Sequence, residues 1–267
     1  MVKVICLQKN NFIKQVMIKK ISLILIITLL VIFLIGKVYV YNVIKQGDKF
    51  YKNENYEKAL IEYNKGDVFL LNDEIKNKQI LTKKSIMLKN VLEKASQYLK
   101  QGNYQKSISF FTMAINVYEN NESYFYRGLS YFKLNDFKNS IKNFNKLNYI
   151  DKETDTIVLF GASDLILKDL IYRALAKYNL EDYRGAISDL TKVIKISETE
   201  SPLNYEDNDN NSNKKNPLII KAYLELGNSY LKLSKIDEAC LSWSKAGELG
   251  DYKSYELIKK YCNIDKQ

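Results

Sequence analysis

Residues 126–146, YRGLSYFKLNDFKNSIKNFNK, and residues 172–192, YRALAKYNLEDYRGAISDLTK, decide the fold. The two stretches lie 46 residues apart and are identical at seven positions. Most other positions exchange similar residues, as where Gly128 corresponds to Ala174. Because small residues correspond to small ones and aromatic residues to aromatic ones, the chain repeats one packing unit.

The same spacing can be traced through most of the chain. Each copy has a small anchor residue, a second small residue 12 positions later and a large residue 16 positions after the anchor. Small residues let the two helices of a hairpin approach closely, and large residues fill the groove between one hairpin and the next. The five anchors are Gly47, Ala95, Gly128, Ala174 and Gly227.

The last copy, IKAYLELGNSYLKLSKIDEACLSWSKAGELG at 220–250, resembles a tetratricopeptide repeat. The matching residues are Tyr223, Leu226, Gly227, Tyr230, Ala239, Trp243 and Ala246. The resemblance implies an all-α fold, a right-handed solenoid of helical hairpins. The composition and the C-terminal residues 239–262 also resemble those of membrane-anchored tetratricopeptide proteins of bacterial envelopes. The implied repeats are 40–66, 88–118, 121–151, 167–197 and 220–250.

The segments between the repeats complete a predicted solenoid over residues 42–250. Successive anchors are 48, 33, 46 and 53 residues apart, so most intervals exceed the ~34 residues of the family repeat. Residues 67–90 and 148–168 keep an apolar periodicity, which predicts helix extensions or an added helix. Residues 197–216 are polar and predict a flexible loop. The amphipathic residues 251–264 predict a helix that caps the final hairpin.

Residues 21–36, ISLILIITLLVIFLIG, carry no charge. With the residues that follow, the apolar stretch reaches roughly 20 residues, enough to cross about 30 Å of hydrocarbon. Tyr39 and Tyr41 lie where interfacial aromatic residues are expected. We expect a transmembrane signal anchor at 21–41. The basic residues 1–20 then lie in the cytoplasm, and the repeats lie on the periplasmic or extracytoplasmic side.

A cleaved signal peptide is the alternative for this segment. The sequence from Met17 has a short basic start, and translation from Met1 or from Met17 both stay open. No pair of small residues precedes a cleavage site after the apolar run, where Leu34 and Gly36 are the best candidates. An uncleaved anchor is therefore favoured. Cleavage would give a secreted or periplasmic protein with the same repeats and the same binding role.

The positive charge is concentrated at the N-terminus. The chain has 41 basic and 31 acidic residues, a net charge of +10. Six basic residues and no acidic residue precede residue 42, which leaves 35 basic and 31 acidic residues over 42–267. Because most of the surplus flanks the apolar segment, we expect no nucleic-acid partner.

The absence of histidine excludes whole classes of catalytic site. Ser-His-Asp and Cys-His nucleophile systems and histidine-ligated metals cannot be built from this chain. It also has no glycine-rich phosphate loop, no CxxC and no HExxH motif. We expect no enzyme activity, no cofactor and no metal.

The family resemblance implies a protein or peptide partner bound in a concave groove formed by the first helix of each repeat. The protein is then a non-enzymatic interaction scaffold. The alternative is that the residues at the groove positions pack against a neighbouring helix. The groove residues that the resemblance implies are Leu99, Lys100, Phe125, Leu129, Phe132, Lys133, Leu175, Tyr178, Asn179, Lys221, Asn228 and Lys232.

Cys240 and Cys262 lie at similar distances from residue 251 along the chain. If the last repeat helix and the capping helix are antiparallel, the two cysteines come to the same height and can reach bridging distance. An exported domain permits this disulfide. The alternative is that both are small buried apolar residues.

Overall fold

The computed structural model describes residues 2–66, 73–147, 163–200 and 216–262. These residues form eleven α-helices and no β-strand, which confirms the predicted all-α class. The helices are α1 (Val2–Lys52), α2 (Tyr56–Lys65), α3 (Asp73–Lys100), α4 (Tyr104–Val117), α5 (Asn121–Lys133), α6 (Phe137–Phe144), α7 (Ser163–Asn179), α8 (Tyr183–Glu200), α9 (Pro217–Lys232), α10 (Ile236–Glu248) and α11 (Tyr252–Tyr261).

The chain divides into two compact units, Met1–Asn90 and Val91–Gln267. Unit one contains α1, α2 and the first part of α3. It is held by a small core in which α1 and α2 pack together. The buried apolar residues of this core are Val40, Val43, Ala59, Tyr63 and Ile75.

Unit two contains the remainder of α3 and all helices from α4 to α11. From α4 onward each helix contacts the next one along the chain, so that consecutive hairpins pack in order. Its largest described core lies between α7, α8 and α9 and includes Ile171, Leu190 and Ala222.

A close contact between the anchor and the residue 16 positions later recurs in both units. A Cβ atom placed on Gly128 would lie 2.8 Å from Cε1 of Phe144, and one on Gly227 would lie 2.4 Å from Nε1 of Trp243. On Gly47 it would lie 2.3 Å from the Tyr63 ring. At these three anchors a Cβ atom would overlap the aromatic ring, so glycine is required there. The second copy instead combines the anchor Ala95 with Phe111.

The second small residue of every copy is completely buried. Each of these residues begins the second turn of the second helix in its hairpin, and none is exposed to solvent. They are Ala59, Ser107, Ser140, Ala186 and Ala239, each with 0% exposure. The large residues four positions later are buried to 2% or less: Tyr63, Phe111, Phe144, Leu190 and Trp243.

The five hairpins also share one turn. The residue seven positions after each anchor has a positive φ angle, between 56° and 75°. The next residue begins the second helix as its N-cap, and in four of the five turns its side chain accepts a backbone N–H hydrogen bond. The residues with positive φ are Glu54, Gly102, Asn135, Glu181 and Ser234.

Two arginines join neighbouring hairpins. Arg127 on α5 donates through Nε to Oδ1 of Asn143 in its own hairpin (2.7 Å) and through Nη1 to Oγ1 of Thr112 in the preceding hairpin (3.1 Å). One guanidinium therefore fixes both the hairpin and its neighbour, which a lysine could not do in the same geometry.

Arg173 occupies the equivalent position on α7. It donates two hydrogen bonds to Asp189 of its own hairpin (2.8 and 2.9 Å). A third goes from Nη1 to Oδ1 of Asn145 in the preceding hairpin (3.2 Å). The arrangement around Arg127 is thus repeated one hairpin later.

Several segment boundaries differ from those expected. The helix expected to start near residue 40 is continuous with the apolar segment, because α1 runs unbroken to Lys52. The expected loop at 197–216 begins later, since α8 continues to Glu200, and 201–215 lie outside the described residues. Residues 73–90 extend α3. The expectation for 148–162 also falls outside the described residues.

We predict that Gly128→Ala lowers the free energy of unfolding by about 1–2 kcal/mol. The new Cβ would overlap the Phe144 ring, at a typical cost of about 1–3 kcal/mol, while the higher helix propensity of alanine offsets up to about 1 kcal/mol. Denaturant unfolding of the full-length protein measures the loss.

The matched control is Gly128→Ala combined with Phe144→Leu. This double variant reproduces the Ala174 and Leu190 pair of the next hairpin. We expect its destabilisation to be smaller than the sum of the two single effects. If the two single losses of unfolding free energy add up to that of the double variant, the assigned contact between residues 128 and 144 is contradicted.

Candidate partner-binding face

The helices α5, α7 and α9 form one surface, here called the three-helix face. Besides its hairpin partner, α7 contacts both α5 and α9. Tyr172 on α7 lies at its centre. The ring of Phe132 on α5 lies 5.4 Å from the Tyr172 ring, edge to face, and Nζ of Lys221 on α9 lies 5.2 Å from the Tyr172 centroid. Side chains from three hairpins therefore meet at one ring.

Four of the residues expected in the groove share one place in the repeat. Each is the last residue of the first helix in its hairpin, and each is exposed. They are Lys100, Lys133, Asn179 and Lys232. Three ammonium groups thus lie at helix C-termini, where the helix dipole favours positive charge.

The residue just before each of these is partly buried, as seen at Leu99, Phe132 and Tyr178. In the hairpins of Phe132 and Tyr178, this side chain packs across the turn onto the first residue of the second helix. The Phe132 and Phe137 rings lie 5.5 Å apart, and those of Tyr178 and Tyr183 lie 5.2 Å apart. These rings are held in place by their own hairpins, so the apolar surface they present is fixed before any partner binds.

Phe125 is not a surface residue. It is only 2% exposed, and its ring lies 6.0 Å from the Phe144 ring and 6.3 Å from the Tyr172 ring. Because it fills the space below Tyr172, the structure places it in the core, although the family pattern implied a groove position. Leu175 likewise packs against the core cluster of α7, α8 and α9.

The remaining expected residues are partly buried. Leu129 lies on α5 one residue beyond the anchor, and Asn228 holds the same place on α9. The Nδ2 atom of Asn228 donates to Oε2 of Glu225 (3.1 Å), so its amide already has a partner.

Tyr172, the central residue of the face, was not among the expected groove residues. The sequence does carry a signal for it, because Tyr-Arg opens both of the copies at 126 and 172. The two tyrosines have different neighbours, however. The Tyr126 ring stacks 5.7 Å from Phe111 of the preceding hairpin, whereas Tyr172 meets Phe132 and Lys221. The two tyrosines differ in their contacts because α7 packs between α5 and α9.

A buried charged cluster lies behind this face, between α7 and α8. Asp189 is 1% exposed and accepts hydrogen bonds from Arg173 (2.8 Å) and Lys177 (2.7 Å). Burial opposes its ionisation, but these two cations outweigh that cost and hold the pKa of Asp189 below its usual value. The cluster therefore contains a carboxylate that stays ionised and paired.

Asp169 has the opposite character. It is also 1% exposed, and its Oδ1 atom has no hydrogen-bond partner among the described residues. Burial raises its pKa to about 8, and the nearby Asp189 carboxylate adds to this rise, whereas Arg173 partly opposes it. Asp169 is therefore mostly protonated at neutral pH.

The cysteine pair lies at the C-terminal end of unit two. The Sγ atoms of Cys240 on α10 and Cys262 after α11 are 2.00 Å apart, and their Cα atoms are 5.8 Å apart. Formation of this disulfide in the cell stays a prediction. Two further contacts join α11 to α10. The Tyr255 hydroxyl donates to the Gly247 carbonyl oxygen (3.1 Å), and the Tyr261 ring lies 5.8 Å from Trp243.

Within the described residues, one helix segment is long and apolar enough to cross a membrane. It is Met17–Lys52 of α1, whose apolar side chains up to Ile35 are exposed. This is compatible with a single-pass anchor or with a signal sequence. The described residues contain no group of three His, Cys, Asp or Glu side chains that could hold a metal ion.

Hairpins with one common turn and one common set of contacts define a helical repeat protein. The family model for the tetratricopeptide repeat matches residues 122–154, which include α5 and α6. These residues form a tetratricopeptide repeat, and the same turn recurs in the other hairpins. Repeats of this kind support a role as a protein-interaction scaffold.

Among solved structures, one described as "Crystal structure of MamA" is 17% identical, over 80% of this chain and 97% of that chain, with a TM-score of 0.47. "MamA 41-end from Desulfovibrio magneticus RS-1" is 13% identical, over 80% of this chain and 94% of that one, with a TM-score of 0.44. These likenesses carry no conclusion about what this chain binds. No curated protein matches by sequence.

We predict that Asp169 makes the protein less stable as the pH rises. Its pKa is higher in the folded chain, about 8, than in the unfolded chain, about 4. Its contribution is therefore complete below pH 4 and is lost as the pH rises towards 8. Asp169→Asn should remove this dependence and exceed the wild type in stability at pH 8 by more than about 1 kcal/mol.

Denaturant unfolding at pH 5, 6.5 and 8 measures this effect. Asp164→Asn on the same helix is the matched control, because Asp164 is exposed and should leave the pH profile unchanged. A wild-type stability that is flat from pH 5 to 8 would contradict the assignment. The low pKa of Asp189 affects stability only below this window.

Proposed function

We propose that the protein is a non-enzymatic, membrane-anchored scaffold that binds a protein or peptide partner on the three-helix face. The observation that carries the proposal is the contact of Phe132, Tyr172 and Lys221, which come from three successive hairpins. A surface built by several hairpins can hold an extended or helical segment at several points at once.

The chemistry of the face indicates the kind of partner. Aromatic rings held by the hairpin turns offer apolar contacts, and Lys133 and Lys232 at the ends of α5 and α9 offer exposed positive charge. A segment with apolar anchor residues and acidic residues between them is complementary to this surface. We expect no nucleic acid and no metal to be involved.

The proposed anchor is residues 21–41, with the repeats on the periplasmic or extracytoplasmic side. The continuity of α1 supports an uncleaved anchor, because Val40 and Val43 belong to the core of unit one while the large apolar side chains from Met17 to Ile35 on the same helix are exposed. A secreted or periplasmic protein released by cleavage is the second candidate, because a signal sequence has the same composition.

Photo-crosslinking in intact cells tests the face. A photoreactive phenylalanine analogue placed at Lys133 or Lys232 of the full-length protein should give a discrete crosslinked adduct. The matched controls are Lys138 on α6 and Lys192 on α8, which are exposed residues of the second helices. Adducts of equal yield from both sets of positions would contradict the proposed face.

Thiol labelling tests the location of the repeats and the proposed disulfide together. The chain has three cysteines, at positions 6, 240 and 262. Cells are denatured in the presence of a polymer-linked maleimide, which adds a mass increment to each free thiol. An exported, anchored protein should gain one increment at Cys6 without reductant and three after reduction, because its other two cysteines are bridged.

Two other outcomes are informative. A chain that has lost the apolar segment as well as Cys6, with no increment before reduction, indicates cleavage. A chain that begins at Met17 also lacks Cys6 but keeps the apolar segment. A full-length chain with three increments before reduction contradicts the bridged, exported form.

A further inference from the structure

The part of α1 that follows the apolar stretch carries lysines on one face. Lys45, Lys49 and Lys52 follow Tyr41 at intervals of four, four and three residues, which places all four on one side of an α-helix. Each of these side chains is exposed. We call these four residues the lysine row.

The orientation of the lysine row is fixed by the core of unit one. Val40, Val43 and Gly47 are buried on the opposite side of α1, and Gly47 lies directly against the Tyr63 ring of α2. The helix therefore cannot rotate to bury the lysines without breaking this core. The core of unit one therefore holds the lysine row on the side of α1 that faces away from α2.

The positive charge of the row is only partly offset among the described residues, where Asp48 interacts electrostatically with Lys52. The nearby carboxylate, Asp48, accepts hydrogen bonds from the Tyr63 hydroxyl (2.5 Å) and from Nζ of Lys78 on α3 (2.8 Å). It is thus already paired. Among the described residues, no ion pair involves Lys45, Lys49 or Lys52.

The lysines border a depression in the surface rather than a flat helix side. Its volume is about 410 Å³. The residues that line it are Tyr41, Ile44, Lys45, Asp48, Lys49 and Lys52. Tyr41 and Ile44 lie at the end nearest the apolar segment, and the ammonium groups lie beyond them. This order matches that of the acyl chains and the phosphate in a phospholipid.

The distance along α1 also fits. With a rise of about 1.5 Å per residue, Lys45 lies about 6 Å beyond Tyr41, and Lys52 lies about 16 Å beyond it. The polar head-group region of a bilayer is roughly 5–8 Å thick on each side. Lys45 is therefore level with the head groups, and the other two lysines lie within about a Debye length of them.

We propose that the lysine row binds the head groups of acidic phospholipids in the membrane that α1 enters. This inference rests on the anchoring proposed above. The apolar segment would fix the protein in the bilayer, and the row would set the orientation of unit one against the surface.

The test uses the full-length protein in nanodiscs that contain phosphatidylcholine and phosphatidylglycerol. Native mass spectrometry counts the lipids of each kind that stay bound after the protein is released from the nanodisc. We expect phosphatidylglycerol to be retained about ten-fold more than phosphatidylcholine. The triple variant Lys45→Gln, Lys49→Gln, Lys52→Gln should lose this preference.

The matched control is Lys83→Gln, Lys84→Gln, Lys89→Gln, which removes three exposed lysines of α3 in the same unit. It should keep the preference for phosphatidylglycerol. Equal retention of both lipids by the wild type would overturn the inference, as would equal losses in the two triple variants. Displacement of the lipid by millimolar inorganic phosphate would also overturn it, since the site would then bind a free anion.

Flotation with vesicles separates this inference from the proposed function. A wild type that floats with phosphatidylcholine vesicles but shows no lipid preference is anchored without a lipid site. A protein that floats with neither kind of vesicle is not anchored, and both proposals then fail.

Discussion

The close contact between a small anchor residue and a large residue 16 positions later is the constraint on which the rest of the structure depends. Gly128 has no room for a Cβ atom beside Phe144, and Gly227 has none beside Trp243. The anchor is alanine in the other two pairs, Ala95 with Phe111 and Ala174 with Leu190. The pair brings two helices together and fixes where the turn between them falls. The repeated left-handed turn residue and helix cap follow from that spacing.

Stacked hairpins place their first helices side by side, and the proposed function depends on this. Tyr172 meets Phe132 and Lys221 only because α7 packs between α5 and α9. The same arrangement lets Arg127 and Arg173 each bond to two hairpins. Rigid packing thus supports both the stack and the surface that we propose for a partner.

The sequence was sufficient to predict the all-α class, the anchors and the buried small residues, because these depend on spacing within one hairpin. It was insufficient where neighbouring hairpins decide the outcome. Phe125 fits a groove pattern yet is buried, and Tyr172 was not expected in the groove although it is central to the face. The charged cluster of Asp169 and Asp189 lies within one hairpin and was missed for a different reason, since its members look like solvated carboxylates in the sequence.

Hydrogen–deuterium exchange of the full-length protein tests the central claim, that five hairpins are each held by one anchor contact. The account predicts slow exchange of the backbone amides in both helices of each hairpin. It predicts fast exchange at the five turns around residues 54, 102, 135, 181 and 234. Fast exchange throughout any one hairpin would contradict it, and the hairpin of Gly47 is the most stringent case because it lies in unit one, apart from the other four.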